Sequence, residues 1–192
     1  MNTPAHILLA AGLFAKPDCP KITAGAIIGG FFPDISLYTM AAFSLLIEGN
    51  SPRYVFDVQF FSDTWQQVFA VDNSFVLWGL LLLFALWLRK AWLIVFAAAA
   101  ISHLCLDFPL HHSDARMHFW PLGDWVFRSP FSYWNPQYHG EIIAILERLM
   151  VAGVMVLLWR RFKSWKIRAF YALLATAELA HFILFHMVLQ GH

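Results

Sequence analysis

The chain has 192 residues, 60% of them hydrophobic and only 13% charged, with a formal net charge of +1 and a mean hydropathy of +0.60. Soluble domains carry about 45–50% apolar and about 25% charged residues, so an ordinary soluble domain is excluded; a single polytopic membrane domain over residues 1–192 is expected. No basic stripe is present, so nucleic acid is not expected as a partner.

Residues 3–15 form a first apolar segment, too short to cross a bilayer at a rise of about 1.5 Å per residue. Thr3 is placed to cap it, with Pro4 at its first helical position and His6 in its first turn. No basic n-region or A-x-A site is present, so no cleaved signal peptide is expected. Residues 22–47 form a second segment, whose Gly25, Gly29 and Gly30 suit close helix packing. Pro33 interrupts it and puts the acid Asp34 at a kink inside an apolar span. Residues 48–72 are more polar and rich in aromatics, and read as a helix lying in the membrane interface, a connector more than a lid. A third segment covers residues 73–88 and a fourth residues 91–108. A long loop rich in Trp, Pro and His follows over residues 110–140, and its aromatic content argues against disorder. The fifth and sixth segments cover residues 141–159 and 169–189. Nine Trp and nineteen Phe, many near segment ends, fit interfacial aromatic belts. Cys19 and Cys105 follow no CxxC pattern and read as free thiols. The expected fold is therefore all-α: a polytopic membrane bundle of about six helices, the first one short, with a Trp/His-rich outer loop.

Chemistry concentrates in Ser102-His103-Leu104-Cys105-Leu106-Asp107-Phe108-Pro109-Leu110-His111-His112-Ser113-Asp114. The i,i+4 spacing of His103 and Asp107 puts both on one helix face. An imidazole and a carboxylate on one face are two ligands for a borderline divalent metal. The plainer reading is two polar side chains satisfied at an interface. Ionisable groups at membrane depth are costly and usually functional, which favours the metal.

Basic residues fix an orientation. Lys16 and Lys21, then Arg89 and Lys90, then Arg160, Arg161, Lys163, Lys166 and Arg168 occupy alternate turns. The positive-inside rule puts these turns in the cytoplasm and both termini, with loops 48–72 and 109–140, outside. Counting from the basic turns at about 1.5 Å per residue, His6 lies roughly 15 Å deep and Asp34, His103, Glu147 and His181 roughly 20 Å deep. Asn73 and Asp107 come out at roughly 24–25 Å. Six segments thus place polar groups in one layer, between mid-membrane and the outer interface.

Several motifs occur in an order that resembles a known family. They are Thr3-Pro4-Ala5-His6, Gly29-Gly30-x-x-Pro33-Asp34 and His103-x-x-x-Asp107. Trp120-Pro121-Leu122, Trp125-x-Phe127-Arg128-Ser129-Pro130 and Leu146-Glu147-Arg148 add to them. The chain resembles the inner-membrane metal-dependent hydrolases whose founding bacterial member is under LexA control. That family is similar in motif order to the zinc-dependent phospholipase C group. The chain departs from the pattern once. Where the family has a His-rich element ending Thr-His-Ser, this chain reads Val71-Asp72-Asn73-Ser74. Asn73 then stands in place of a ligand or catalytic histidine, with His111 or His112 as substitutes and Asp72 as a further oxygen ligand.

The resemblance and the residues together give a set of expectations. His6, Asp34, His103 and Asp107 are expected to hold one or two divalent ions, zinc by preference, in a bacterial inner-membrane, multi-pass protein. Asp72, His111, His112 and Glu147 are expected to complete the shell or act in catalysis. The expected activity is hydrolysis of a phosphoester, or another ester, in a lipid-like substrate at the outer face. A non-enzymatic metal-binding or transport protein is the alternative. Some residues keep a second reading: Asp34 as an acid capping the kink, Glu147 as a neighbour of Arg148, and Asp114 and His118 as loop structure. Glu178 and His181 read as a structural pair; Arg116 and Arg128 as head-group contacts or snorkelling cations.

Overall fold

The computed structural model describes residues 1–190, with side chains described through residue 180. His181, His186 and His192 therefore lie outside the residues described in side-chain detail. Among the described residues every regular element is helical. Three stretches, Pro20–Leu46, Asp63–Trp87 and Gly140–Arg161, are long and apolar enough to cross a membrane, and Thr3–Phe14 and Ala91–Asp107 are shorter apolar helices.

The first helix, α1 (Thr3–Phe14), sits at the centre and packs on four others. Its 12 residues reach only about 18 Å. It is apolar all round, which suits a helix enclosed by others; Ala5 to Gly12 are buried without a break. The expected cap shifts by one residue. Asn2 is the N-cap, and the Thr3 hydroxyl instead donates to Asp34 Oδ2 at 2.5 Å. At the other end Arg161 Nη1 donates to the carbonyls of Gly12 at 2.8 Å and Ala15 at 3.0 Å, groups a helix terminus leaves unpaired.

The second apolar stretch is broken where Pro33 predicts. Helix α2 (Pro20–Phe31) gives way to a tight turn over Phe32–Asp34, then α3 (Ile35–Leu46) continues. Residues 48–72 hold more structure than an interfacial connector. A short α4 (Pro52–Tyr54) runs into one wide helical turn, Val55–Gln59, and is followed by α5 (Asp63–Asp72). Helix α5 is nearly continuous with α6 (Phe75–Trp87), so the stretch forms a second broken span, interrupted at Asn73 and Ser74. Ser74 restarts it by accepting from Leu77 N at 3.1 Å.

Helix α7 (Ala91–Asp107) packs against α1, α2 and α6. The backbone of its Trp92 and Phe96, and the β-carbon of Ala99, face Gly25 and Gly29 of α2 with almost no side chain between. A β-carbon on Gly29 would lie 2.2 Å from the Phe96 carbonyl oxygen, and one on Gly25 2.7 Å from that of Trp92. Two long helices close the bundle, α8 (Gly140–Arg161) and α9 (Trp165–Gln190); α9 begins four residues before the expected segment.

The main core cluster joins α1 to α8 and α9 through Leu8, Leu9, Val151, Leu158, Phe162 and Tyr171. A second joins α6 and α7 through Trp78, Ala97, Ala100 and Leu104. A third ties α3 to the 52–72 region through Ala41, Val55, Trp65 and Phe69. Leu46, Leu83, Trp87, Leu149 and Leu173 stay exposed, as residues facing lipid would. The long loop is fixed by backbone bonds: Phe75 N donates to His118 O at 2.8 Å, Ser129 N to His111 O at 3.0 Å, and Tyr133 N to Leu110 O at 3.0 Å. Both cysteines are free.

The α2–α7 contact makes a test of the fold. Gly29→Ala meets backbone, which cannot rotate away, so it is expected to destabilise by about 1–3 kcal/mol and lower the apparent melting temperature in detergent by roughly 2–12 °C. Gly79→Ala, which meets nothing within 4 Å, is expected to leave that temperature unchanged or slightly raised.

Candidate metal centre

The α2–α7 approach and the central α1 bring three ligand residues to one point. His6 comes from the first turns of α1, His103 and Asp107 from the last turns of α7. One ligand atom from each lies within 4.8 Å of the other two, and all three residues are buried. The two imidazoles stack, with centroids 3.5 Å apart and planes 11° apart. His6 Nε2 is 2.8 Å from Asp107 Oδ1, and His103 Nε2 is 3.1 Å from Asp107 Oδ2. Asp34, delivered by the Pro33 break, puts Oδ1 3.6 Å from His103 Nε2. Its other oxygen takes the Thr3 hydroxyl, which in turn accepts from Tyr38 at 3.0 Å.

The hydrogen bond behind His103 decides what its front can do. Nδ1 lies 2.8 Å from the Gly30 carbonyl. A carbonyl only accepts, so Nδ1 carries a proton, and Nε2 is the nitrogen turned to the acids. That nitrogen is buried without a hydrogen-bond partner, facing carboxylate oxygens of Asp34 and Asp107. A buried imidazole nitrogen facing two carboxylates is a place for positive charge, carried by a proton or by a metal ion. A backbone carbonyl holding the remote nitrogen of a histidine is also the usual way a ligand imidazole is oriented toward a metal. The Met1 nitrogen also lies at this point, 2.5 Å from Asp107 Oδ1. Two imidazoles and a carboxylate form a donor set suited to a borderline divalent ion, so the His6-His103-Asp107 group could hold a metal ion.

The other expected site residues divide. His111 reaches the group, with Nε2 3.3 Å from Asp107 Oδ1 and Nδ1 2.9 Å from Asp114 Oδ2. Burial opposes its charging, but Asp107 and Asp114 outweigh that and push its pKa up to about 9. Glu147 is buried on α8 and accepts from Asn2 N at 2.8 Å, so the start of α1 links it to the group. Asp72 and His112 are not brought to the triad. Asp72 Oδ2 accepts from Ser36 N at 3.0 Å, at the start of α3. His112 donates from Nδ1 to the Ser129 carbonyl at 2.7 Å and stacks on Tyr138 at 3.6 Å.

Asn73, the departure from the expected histidine, has a structural task. Its Nδ2 donates to Pro33 O at 3.1 Å and to Phe69 O at 3.0 Å, so it ties one helix break to the other. His118 adds to this by donating from Nδ1 to the Asn73 carbonyl at 2.9 Å.

Sequence reading did not single out the Gly30 carbonyl, the contacts of Met1 and Asn2, or Thr3 and Tyr38 beside Asp34. Backbone groups leave no side-chain signal. The i,i+3 spacing of His111 and Asp114 was the one available sign that Asp114 serves His111. Glu178, expected to pair within its own helix, accepts from Asn2 Nδ2 at 2.8 Å.

Compared with protein-family models, curated proteins and solved structures, the chain matches none.

The separation of roles can be measured. Asp72→Ala removes the acceptor at the start of α3 and is expected to cost about 0.5–2 kcal/mol of stability. It is expected to leave the bound-metal content of the purified protein at the wild-type level, as is His112→Ala.

Proposed function

We propose that this chain is a membrane-embedded metal-dependent hydrolase acting on a phosphoester, or a related ester, of a lipid-like substrate. The observation that carries the proposal is the buried, unpartnered Nε2 of His103. It is fixed by the Gly30 carbonyl and aimed at Asp34 and Asp107 beside His6. The order of motifs that resembles the inner-membrane metal-dependent hydrolases supports the same reading, as does the donor set, for which zinc is the fitting ion.

His6, His103 and Asp107 would hold the ion, with Asp34 alongside. A divalent ion there supplies Lewis acidity toward an ester oxygen and activates water near neutral pH. The chain's own residues do the rest. The Gly30 carbonyl keeps His103 in one tautomer and one orientation. Thr3 and Tyr38 hold the outer oxygen of Asp34. His111, between Asp107 and Asp114, is the neighbouring imidazole able to exchange a proton with a reacting group. The enclosing α1, α7 and α8 keep bulk water away, which strengthens each charge interaction. The 108–139 loop, which carries His111, covers the end of the bundle where Asp107 lies; orientation of that end to the outer face follows from the basic turns.

Protein purified in detergent is expected to hold one or two zinc ions per chain by elemental analysis. His103→Ala is expected to lose them, and with His103→Ala or Asp34→Ala, hydrolysis of phospholipid or polyprenyl-phosphate substrates should fall by about 10²-fold or more. Wild-type protein without stoichiometric metal overturns the proposal. Metal flux into liposomes without turnover would assign transport instead.

A further inference from the structure

Arg116 lies in the long loop and is only 8% exposed. A buried guanidinium normally sits on a carboxylate, and Asp114 is two residues away. No Asp114 oxygen pairs with it, however: Oδ2 lies 2.9 Å from His111 Nδ1 and accepts from Trp134 Nε1 at 3.1 Å, and Oδ1 is buried without a hydrogen-bond partner. Arg116 turns the other way. Its guanidinium carbon lies 4.2 Å from the centre of the Phe69 ring and 4.7 Å from that of Phe60. Its one hydrogen bond is long, from Nη1 to Gln66 Oε1 at 3.4 Å. Among the described residues it forms no ion pair. A guanidinium has five N–H donors in a planar fork, so four have no acceptor among the described residues.

Arg116 is tied to the metal centre through the elements that hold it. Phe69 and Gln66 belong to α5, whose next turn carries Asn73, bonded to Pro33 O. Asp34, next to Pro33, stands beside His103. From the other side the loop reaches Asp107 through His111. Burial lowers the guanidinium pKa, and Asp114, Asp34 and Asp107 act against that, so Arg116 feels the acids of the centre without pairing with any of them. Beyond Phe60 the same region leaves Tyr54, Phe56, Val58 and Phe61 exposed, an apolar ridge on which a hydrocarbon chain can lie.

We infer that Arg116, set among Phe60, Phe69 and Gln66 with its donors unmatched, is the receptor for the phosphate group of the substrate. The inference rests on the hydrolase reading above and gives it a substrate class. A tetrahedral phosphate brings several charged oxygens to the four idle donors, more than a two-oxygen carboxylate can. Arginine is the side chain that matches phosphate with two parallel bonds, which lysine cannot do. The phosphate can belong to a lipid head group or be free.

The test uses zinc-loaded full-length protein in detergent, titrated calorimetrically with inorganic phosphate, dihexanoyl phosphatidic acid and acetate. Arg116→Gln is expected to weaken both phosphate probes by at least tenfold. Arg116→Lys keeps a cation over the rings but not the fork, and is expected to weaken them several-fold at an unchanged melting temperature. Tighter binding of the phosphatidic acid than of inorganic phosphate assigns a lipid head group; equal binding assigns the free anion. Wild-type protein that holds no zinc overturns the hydrolase reading. Full zinc with unchanged phosphate affinity in Arg116→Gln overturns the Arg116 assignment alone. So does acetate binding as tightly as phosphate, or loss of fold in both variants, which would mark Arg116 as structural.

Discussion

One backbone carbonyl, that of Gly30, links the packing of this protein to its chemistry. It can accept from His103 Nδ1 only because α2 and α7 approach until glycine hydrogens touch carbonyl oxygens. Any side chain at Gly25 or Gly29 would push the helices apart. In lipid there is little hydrophobic gain from burying one apolar helix against another, so close backbone packing is a main source of cohesion. The same contact that holds the helices together therefore fixes which nitrogen of His103 faces Asp34 and Asp107. Stability and ligand geometry are not separate properties here.

The two broken spans show how membrane helices can be interrupted without leaving bare backbone. Pro33 frees groups in one helix and the Asn73-Ser74 step frees them in the other. Each break repairs its neighbour: Asp72 accepts from Ser36 N–H, and Asn73 donates to Pro33 O. Irregular backbone at membrane depth survives only where it is satisfied by protein in this way. The repair leaves Asp34 free to face His103. An acid held at a break, backed by a hydroxyl, is easier to keep beside a cation than one on a regular helix, where its orientation is set by the helix alone.

Much of this was legible from residue order. Hydropathy found the helices, Pro33 found the first break, and the i,i+4 spacing of His103 and Asp107 found one face of the centre. The depth count put His6 in the same layer, and α1 does deliver it there. The rest depended on contacts that spacing does not encode. Asp72, Asn73 and His112 carry side chains that suit a metal or catalytic site equally well as a helix end or a loop. Only the position of the partner backbone decides between the two, and Ser36 N–H, Pro33 O and Ser129 O are invisible in the sequence. The break before α6 was missed for a related reason: Asn73-Ser74 serves as either an interfacial start or a mid-span restart, and the capping chemistry is the same.

The guanidinium of Arg161 lies across the carbonyl end of α1, bonded to Gly12 and Ala15. Those carbonyls carry the negative end of the helix dipole. They are the oxygens that a cation leaving His6 along the central helix would meet next. A fixed positive charge at that point repels such an ion and uses up the ligands that would receive it. From Ile7 to Gly12, α1 offers only buried Ile, Leu, Ala and Gly. The polar layer is thus a dead end in that direction. An ion held at the His6-His103-Asp107 group would therefore find no ligand path toward the Arg161 end of α1.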